Sequence, residues 1–148
     1  MCIRDRGDNG LATALFGRLD PAQRMFRWSC GGHPPPLLIG AAGVRLLPCP
    51  AGVMLGAVPA TRATYADAYA AVAPDDLLVL YTDGLIERRD QDLDAGFAAL
   101  IRAADDLAGR PAESVCAALI DRMLPGQEHE DDVCLLVLRL VPGVGRRP

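Results

Sequence analysis

The sequence predicts an α+β fold built on largely antiparallel sheet. Three observations carry this expectation. The chain runs through several short strand-like segments, then two helix-like segments, then one last strand. That order is not the strict strand–helix alternation of a parallel doubly wound sheet. Leu77 to Tyr81 (LLVLY) and Val133 to Leu140 (VCLLVLRL) are near-continuous apolar runs, the pattern of strands covered on both faces. A hydrophobic fraction of 51% over 148 residues is enough for one domain with a real core.

The elements follow in order. Leu11 to Leu19 (LATALFGRL) is apolar on both alternations, which predicts a strand covered on both faces. Asp20-Pro21-Ala22-Gln23 reads as a turn with Pro at its second position. Arg24 to Cys30 alternates and reads as the return strand of a β-hairpin. Gly31 to Pro36 (GGHPPP) is excluded from regular structure, because its prolines lack an N–H and fix φ. Leu37 to Gly40 and Val44 to Leu47 read as short strands. Pro48 to Pro59 reads as a loop rich in Gly and Pro. Ala63 to Val72 reads as a further strand with imperfect alternation.

Pro74-Asp75-Asp76 turns the chain into Leu77 to Tyr81, which ends in Thr82-Asp83-Gly84. Leu93, Phe97, Leu100, Ile101, Ala104 and Leu107 follow a helical period, with Gly109 as the stop. Pro111 suits the first turn of a second helix running towards Leu124. Val141 to Pro148 reads as a loose tail.

Charge and cysteine content narrow the function classes. The net charge is -4, and all 15 basic residues are arginine. No global basic field is present, which argues against nucleic acid as a partner. The five cysteines (Cys2, Cys30, Cys49, Cys116 and Cys134) show no C-x-x-C spacing. No secretory leader is expected, because Met1 to Gly10 is polar and charged. The cysteines therefore read as reduced thiols of a cytoplasmic protein. No charge-free stretch reaches the roughly 18 residues of a membrane span. The nearest, Leu46 to Thr61, is broken by Pro48, Pro50 and Pro59. Phosphate-binding glycine loops, H-E-x-x-H and dinucleotide fingerprints do not occur.

Two acidic sites stand at the ends of the two most apolar runs. Asp83 follows the first, and Asp131-Asp132 precede the second. If the two strands are antiparallel neighbours, these acids share one edge of a sheet. Carboxylates brought together repel unless a cation or proton neutralises them. Hard oxygen ligands of this kind suit Mg²⁺ or Mn²⁺. Gly84 would let the backbone turn tightly beside such an ion. On spacing alone, the same acids also read as the solvated turn residues that Asp commonly supplies.

Four segments then occur in a telling order: Thr13 to Pro21 (TALFGRLDP), Trp28 to Pro36 (WSCGGHPPP), Tyr81 to Glu87 (YTDGLIE) and Asp131 to Arg139 (DDVCLLVLR). Together they resemble successive signatures of the metal-dependent PPM-type (PP2C-like) serine/threonine protein phosphatases, in the bacterial sporulation-phosphatase (SpoIIE-like) branch. Leu55-Gly56 is similar to that family's loop leucine-glycine. The resemblance runs from Leu11 to Leu140 and covers the C-terminal part of the family's domain.

The resemblance implies an α/β/β/α sandwich, with two antiparallel sheets between helical layers. It implies that Asp83 and Asp131 ligate divalent metal, with Asp132, Gly84 and His33 near the site. The implied reaction is hydrolysis of phosphoserine or phosphothreonine on a signalling protein by a metal-activated water, with two Mn²⁺ or Mg²⁺ ions and no phosphoenzyme. Among family substrates, a phosphorylated anti-sigma-factor antagonist is the expected type. Fusion to an upstream sensory domain is a family habit.

The sequence also departs from the pattern. Family members carry an earlier glycine-aspartate motif, followed by glycine-histidine-glycine, whose aspartate bridges both ions. Gly7-Asp8-Asn9-Gly10 resembles it only superficially, lacks the histidine and abuts the first strand. Met1 to Arg6 fits no element and resembles translated adapter sequence. The expected organisation is therefore a non-native or irregular leader over 1–10, a partial phosphatase domain over 11–140 and a tail over 141–148. Two alternatives accompany the enzyme reading: a non-catalytic interaction module, and an inactive fragment lacking the first metal motif. Cys134 stands where relatives usually have threonine.

Other residues read more plainly. His33 sits in a Pro-rich element and reads as structural, and His129 as a solvated loop residue. Arg88 and Arg89 are placed either to meet a substrate phosphate or to start an exposed helix. Trp28 reads as core.

Overall fold

The computed structural model describes residues 10–88, 91–124 and 132–141. Among them, strands β1 (Ala14–Asp20), β2 (Met25–Gly31), β3 (Leu37–Gly40), β4 (Gly43–Leu46), β5 (Ala68–Ala71) and β6 (Leu77–Tyr81) precede helices α1 (Leu93–Ala104) and α2 (Ala112–Met123) and a last strand, β7 (Leu135–Arg139). The strands form two antiparallel sheets, ordered β1-β2-β5 and β4-β3-β6-β7.

The β1–β2 hairpin arises where the sequence places it. Asp20 pairs with Met25, and the Asp20 side chain accepts hydrogen bonds from the Ala22 and Gln23 amides, both at 3.0 Å. A short acceptor side chain closing its own turn is the reason Asp favours this position. The strand expected over Ala63 to Val72 contracts to β5, which pairs with β2.

Strand β6 occupies the centre of the molecule. Leu77, Val79 and Tyr81 pack towards the helices with Leu37, Ile39, Leu85, Leu100, Leu107, Val115 and Leu119. Leu78 and Leu80 pack the other way, with Leu38, Phe26, Trp28 and Val72. Both faces of the strand are therefore covered, as its continuous apolar run requires. Trp28 lies in this second core and stacks on Phe26 with ring centroids 5.1 Å apart.

Helix α1 starts where Asp92 caps it, its side chain accepting from the Ala95 amide at 2.7 Å. It ends at Ala104, earlier than the glycine stop suggested. Gly109, at φ 76°, instead turns the connection towards α2. Gly96 lets α1 lie against the turn after β6, since a Cβ there would sit 2.4 Å from the Ile86 carbonyl oxygen.

The layers described are helices, four-stranded sheet and three-stranded sheet, three of the four that the family resemblance implies. This corrects two expectations about strand burial. Strand β1 is not covered on both faces: it is an edge strand, and Phe16 on its outer side is 76% exposed. Strand β7 is also an edge strand. Leu136 and Leu138, which pair with Leu80 and Leu78 and share their face, are exposed. An apolar run reports the capacity to be buried, and whether a layer covers each face depends on the sheet's neighbours.

The cysteine reading is corrected as well. Cys30 and Cys49 form a disulfide, joining the end of β2 to the loop after β4. Their Cα atoms lie 5.8 Å apart, within the usual span of a disulfide. The spacing of 19 residues carries no pairing signal, so only the hairpin's placement beside that loop reveals it. Cys116 and Cys134 are free. The cytoplasmic expectation rested partly on reading every cysteine as reduced, and that support is withdrawn. Among the described residues, no helix is long and apolar enough to cross a membrane.

Candidate metal centre

The two apolar runs are antiparallel neighbours. Strands β6 and β7 pair from Leu77↔Arg139 to Tyr81↔Leu135, so the C-terminal end of one meets the N-terminal start of the other. Asp83 and Asp132 therefore stand at one edge of the four-stranded sheet, and both are exposed. Asp131 lies outside the described residues, as do Asp8, Arg89 and His129.

Just beyond the last strand pair, Asp83 to Leu85 form a turn of 3₁₀ helix. Its first residue presents Asp83, whose Oδ1 accepts a hydrogen bond from the Gly84 amide at 3.0 Å. That bond orients the carboxylate. Gly84 is buried and is not one of the glycines with positive φ, so the turn does not use its left-handed freedom.

Thr82 ties this turn to the start of β7. Its amide donates to the Cys134 carbonyl at 3.0 Å. Its hydroxyl accepts from the Cys134 amide at 2.8 Å and donates to the Asp132 carbonyl at 3.0 Å. Arg88 ties the turn from the other side. Its guanidinium donates to the carbonyls of Glu87 at 2.7 Å, of Gly84 at 3.5 Å and of Met123 at the end of α2. Those bonds favour a structural role for Arg88 over phosphate binding.

His33 lies close to the same edge. Its Nδ1 is 3.1 Å from the Thr13 hydroxyl. Burial pushes the imidazole below its ordinary value, opposed by the Asp83 charge and by the Tyr81 backbone. The Pro-rich element thus rests against the end of β6, consistent with the structural reading of His33.

The donor chemistry here fits a hard divalent cation, since Asp83 offers an exposed, oriented carboxylate at the end of a rigid strand. Among the described residues, no group of three or more His, Cys, Asp or Glu side chains converges.

Sequence reasoning missed Thr82 and Gly96. A hydroxyl between a buried strand and an acid, and a glycine inside a helix where alanine is favoured by about 1 kcal/mol, were the available signals.

Residues 2–141 match the family model of Stage II sporulation protein E (SpoIIE). The chain belongs to the SpoIIE family. Its fold is that of a PP2C-type phosphatase domain, as solved relatives show. The RsbU and RsbW domains of Rv1364c from Mycobacterium tuberculosis superpose with a TM-score of 0.76 at 32% identity, over 86% of this chain and 35% of that one. The SiaA-PP2C domain of Pseudomonas aeruginosa gives 0.67 at 17% identity, over 86% of this chain and 51% of that one. The phosphatase domain of the cell fate determinant SpoIIE from Bacillus subtilis gives 0.63 at 18% identity, over 91% and 61%. A Mn-presoaked form of that domain gives 0.59 at 17% identity, over 91% and 59%. This SpoIIE-family chain thus spans between about a third and three fifths of the length of these solved chains.

Proposed function

We propose that this chain forms part of a metal-dependent phosphatase that hydrolyses phosphoserine or phosphothreonine on a protein. The observation that carries the reading is the β6–β7 edge, where an oriented, exposed Asp83 stands beside the strand start that Asp131 and Asp132 lead into. Asp83 and Asp131 are assigned as metal ligands, with Asp132, Gly84 and His33 close by. Asp131 carries this role from its place in the DDVCLLVLR motif.

Mn²⁺ or Mg²⁺, two ions in the complete domain, is the metal that carboxylate oxygens favour. Study of the SpoIIE phosphatase domain in a Mn-presoaked form supports that choice. When bound, such ions supply a nucleophilic water at neutral pH and neutralise charge on the phosphoryl oxygens. The residues of this chain hold and orient. Gly84 fixes the Asp83 carboxylate through its amide. The turn after β6 is locked by Thr82 and Arg88.

A phosphorylated anti-sigma-factor antagonist is the proposed substrate, supported by the family resemblance. The cytoplasm is the proposed location, supported by the polar, charged Met1 to Gly10. The domain is assigned to residues 11–140. Fusion to an upstream sensory domain is assigned by the same resemblance.

The test is hydrolysis of a phosphoserine or phosphothreonine peptide by this chain with and without Mn²⁺, beside its Asp83→Asn variant. Mn²⁺-dependent release of phosphate that the variant loses supports the reading. A folded chain that binds a protein partner with no turnover and no metal requirement points to an interaction module instead.

A further inference from the structure

The hydroxyl of Thr82 takes over a place in the β-ladder that a backbone carbonyl would ordinarily fill. In an antiparallel sheet, a hydrogen-bonded residue pair exchanges two backbone bonds, each amide donating to the other's carbonyl. Thr82 and Cys134 exchange only one, from the Thr82 amide to the Cys134 carbonyl at 3.0 Å. The Thr82 carbonyl is turned away, and it accepts from the Leu85 amide at 3.1 Å to open the 3₁₀ turn that presents Asp83. The Cys134 amide bonds to the Thr82 side chain at 2.8 Å instead. The same hydroxyl reaches one step further and donates to the Asp132 carbonyl at 3.0 Å.

One residue therefore satisfies two needs that compete for its backbone. The chain must leave the sheet at Asp83, yet the start of β7 must stay paired to it. A hydroxyl both donates and accepts, and a β-branched side chain holds few rotamers. Arg88, bonded to the carbonyls of Gly84 and Met123, braces the turn from the opposite side.

We infer that Thr82 is a positioning residue: its side chain keeps the Asp83 turn in register with Asp132 at the start of β7, and so sets the geometry of the carboxylate edge. This rests on the reading of that edge as a metal site. Partners that orient metal ligands change affinity by about 10- to 100-fold when removed.

Thr82→Val keeps the shape of the side chain and removes both bonds, whereas Thr82→Ser keeps the hydroxyl. Two readouts are taken on the whole chain, with thermal unfolding to confirm that each variant is folded. The first is amide hydrogen exchange of Cys134 without metal. The second is Mn²⁺ affinity from the electron paramagnetic resonance signal of free Mn²⁺. The expected result is faster exchange at Cys134 in Thr82→Val, on the order of tenfold, with affinity about tenfold weaker, and both restored in Thr82→Ser. Unchanged exchange in Thr82→Val overturns the clamp. Faster exchange with unchanged Mn²⁺ affinity overturns the positioning role, as does an equal loss in both variants. A wild-type chain that binds no Mn²⁺ sinks the metal-site reading itself, and the positioning role falls with it, while the exchange data still judge the clamp.

Discussion

His33 Nδ1 lies 3.1 Å from the Thr13 hydroxyl, joining the Pro-rich element after β2 to the residue that precedes β1. The ring is half-buried, and burial lowers its proton affinity below the ordinary value of 6.5. An imidazole with a depressed folded pKa contributes stability that is present above the unfolded value and lost as pH falls through the folded one. Wild-type stability should therefore fall as pH is lowered below 6.5, and His33→Asn should flatten that slope. Urea unfolding at a series of pH values measures both. A slope that survives in the variant would assign it to other groups.

Tyr81 should tolerate loss of its hydroxyl. The residue is 4% exposed, and its hydroxyl finds no partner among the described residues. The same burial raises its proton affinity well above the ordinary tyrosine value. A buried hydroxyl without a bond is unfavourable, so Tyr81→Phe should be as stable as wild type or about 1 kcal/mol more stable. Denaturant midpoints decide it, and a loss of stability would reveal a partner for the hydroxyl.

The Cys30–Cys49 disulfide links the three-stranded sheet to the loop beyond the four-stranded one. Closing a loop of this length stabilises by about 2–4 kcal/mol. The double variant Cys30→Ser, Cys49→Ser should lose that amount. Added reductant should lower the melting temperature of wild type and leave the double variant unmoved. Equal melting with and without reductant would mean that the bond is absent in solution.

Gly96 makes a steric prediction. A Cβ there meets the Ile86 carbonyl oxygen at 2.4 Å, and backbone cannot yield as a flexible side chain can. Gly96→Val should cost about 1–3 kcal/mol, read from chemical denaturation. Because Ile86 closes the turn that Asp83 opens, metal affinity should weaken in the same variant. A variant as stable as wild type would show that α1 can shift without strain.

Much of this architecture was legible in the sequence. Leu77 to Tyr81 is β6 residue for residue, and its run, apolar on both faces, sits inside the four-stranded sheet with cores on either side. Asp20 to Gln23 read as a turn, and the Asp20 side chain closes it. The Asp92 cap that starts α1 went unread, and only the helical period marked that helix. The same reasoning misjudged β1 and β7, whose apolar residues lie on edge strands with an open face. Hydrophobic patterning records which side chains tolerate burial and says nothing of how many layers surround them. At the candidate site, Asp83 and the strand edge followed from the motif. Thr82 did not, because its role depends on a competition for one carbonyl that only the folded backbone reveals.

Mn²⁺ binding to this chain, followed by electron paramagnetic resonance with wild type beside Asp83→Asn, tests the β6–β7 edge as a carboxylate metal site. Wild type should bind saturably, and the folded variant should lose that binding. Equal binding by both proteins, or none by a folded wild type, would contradict that reading of the edge.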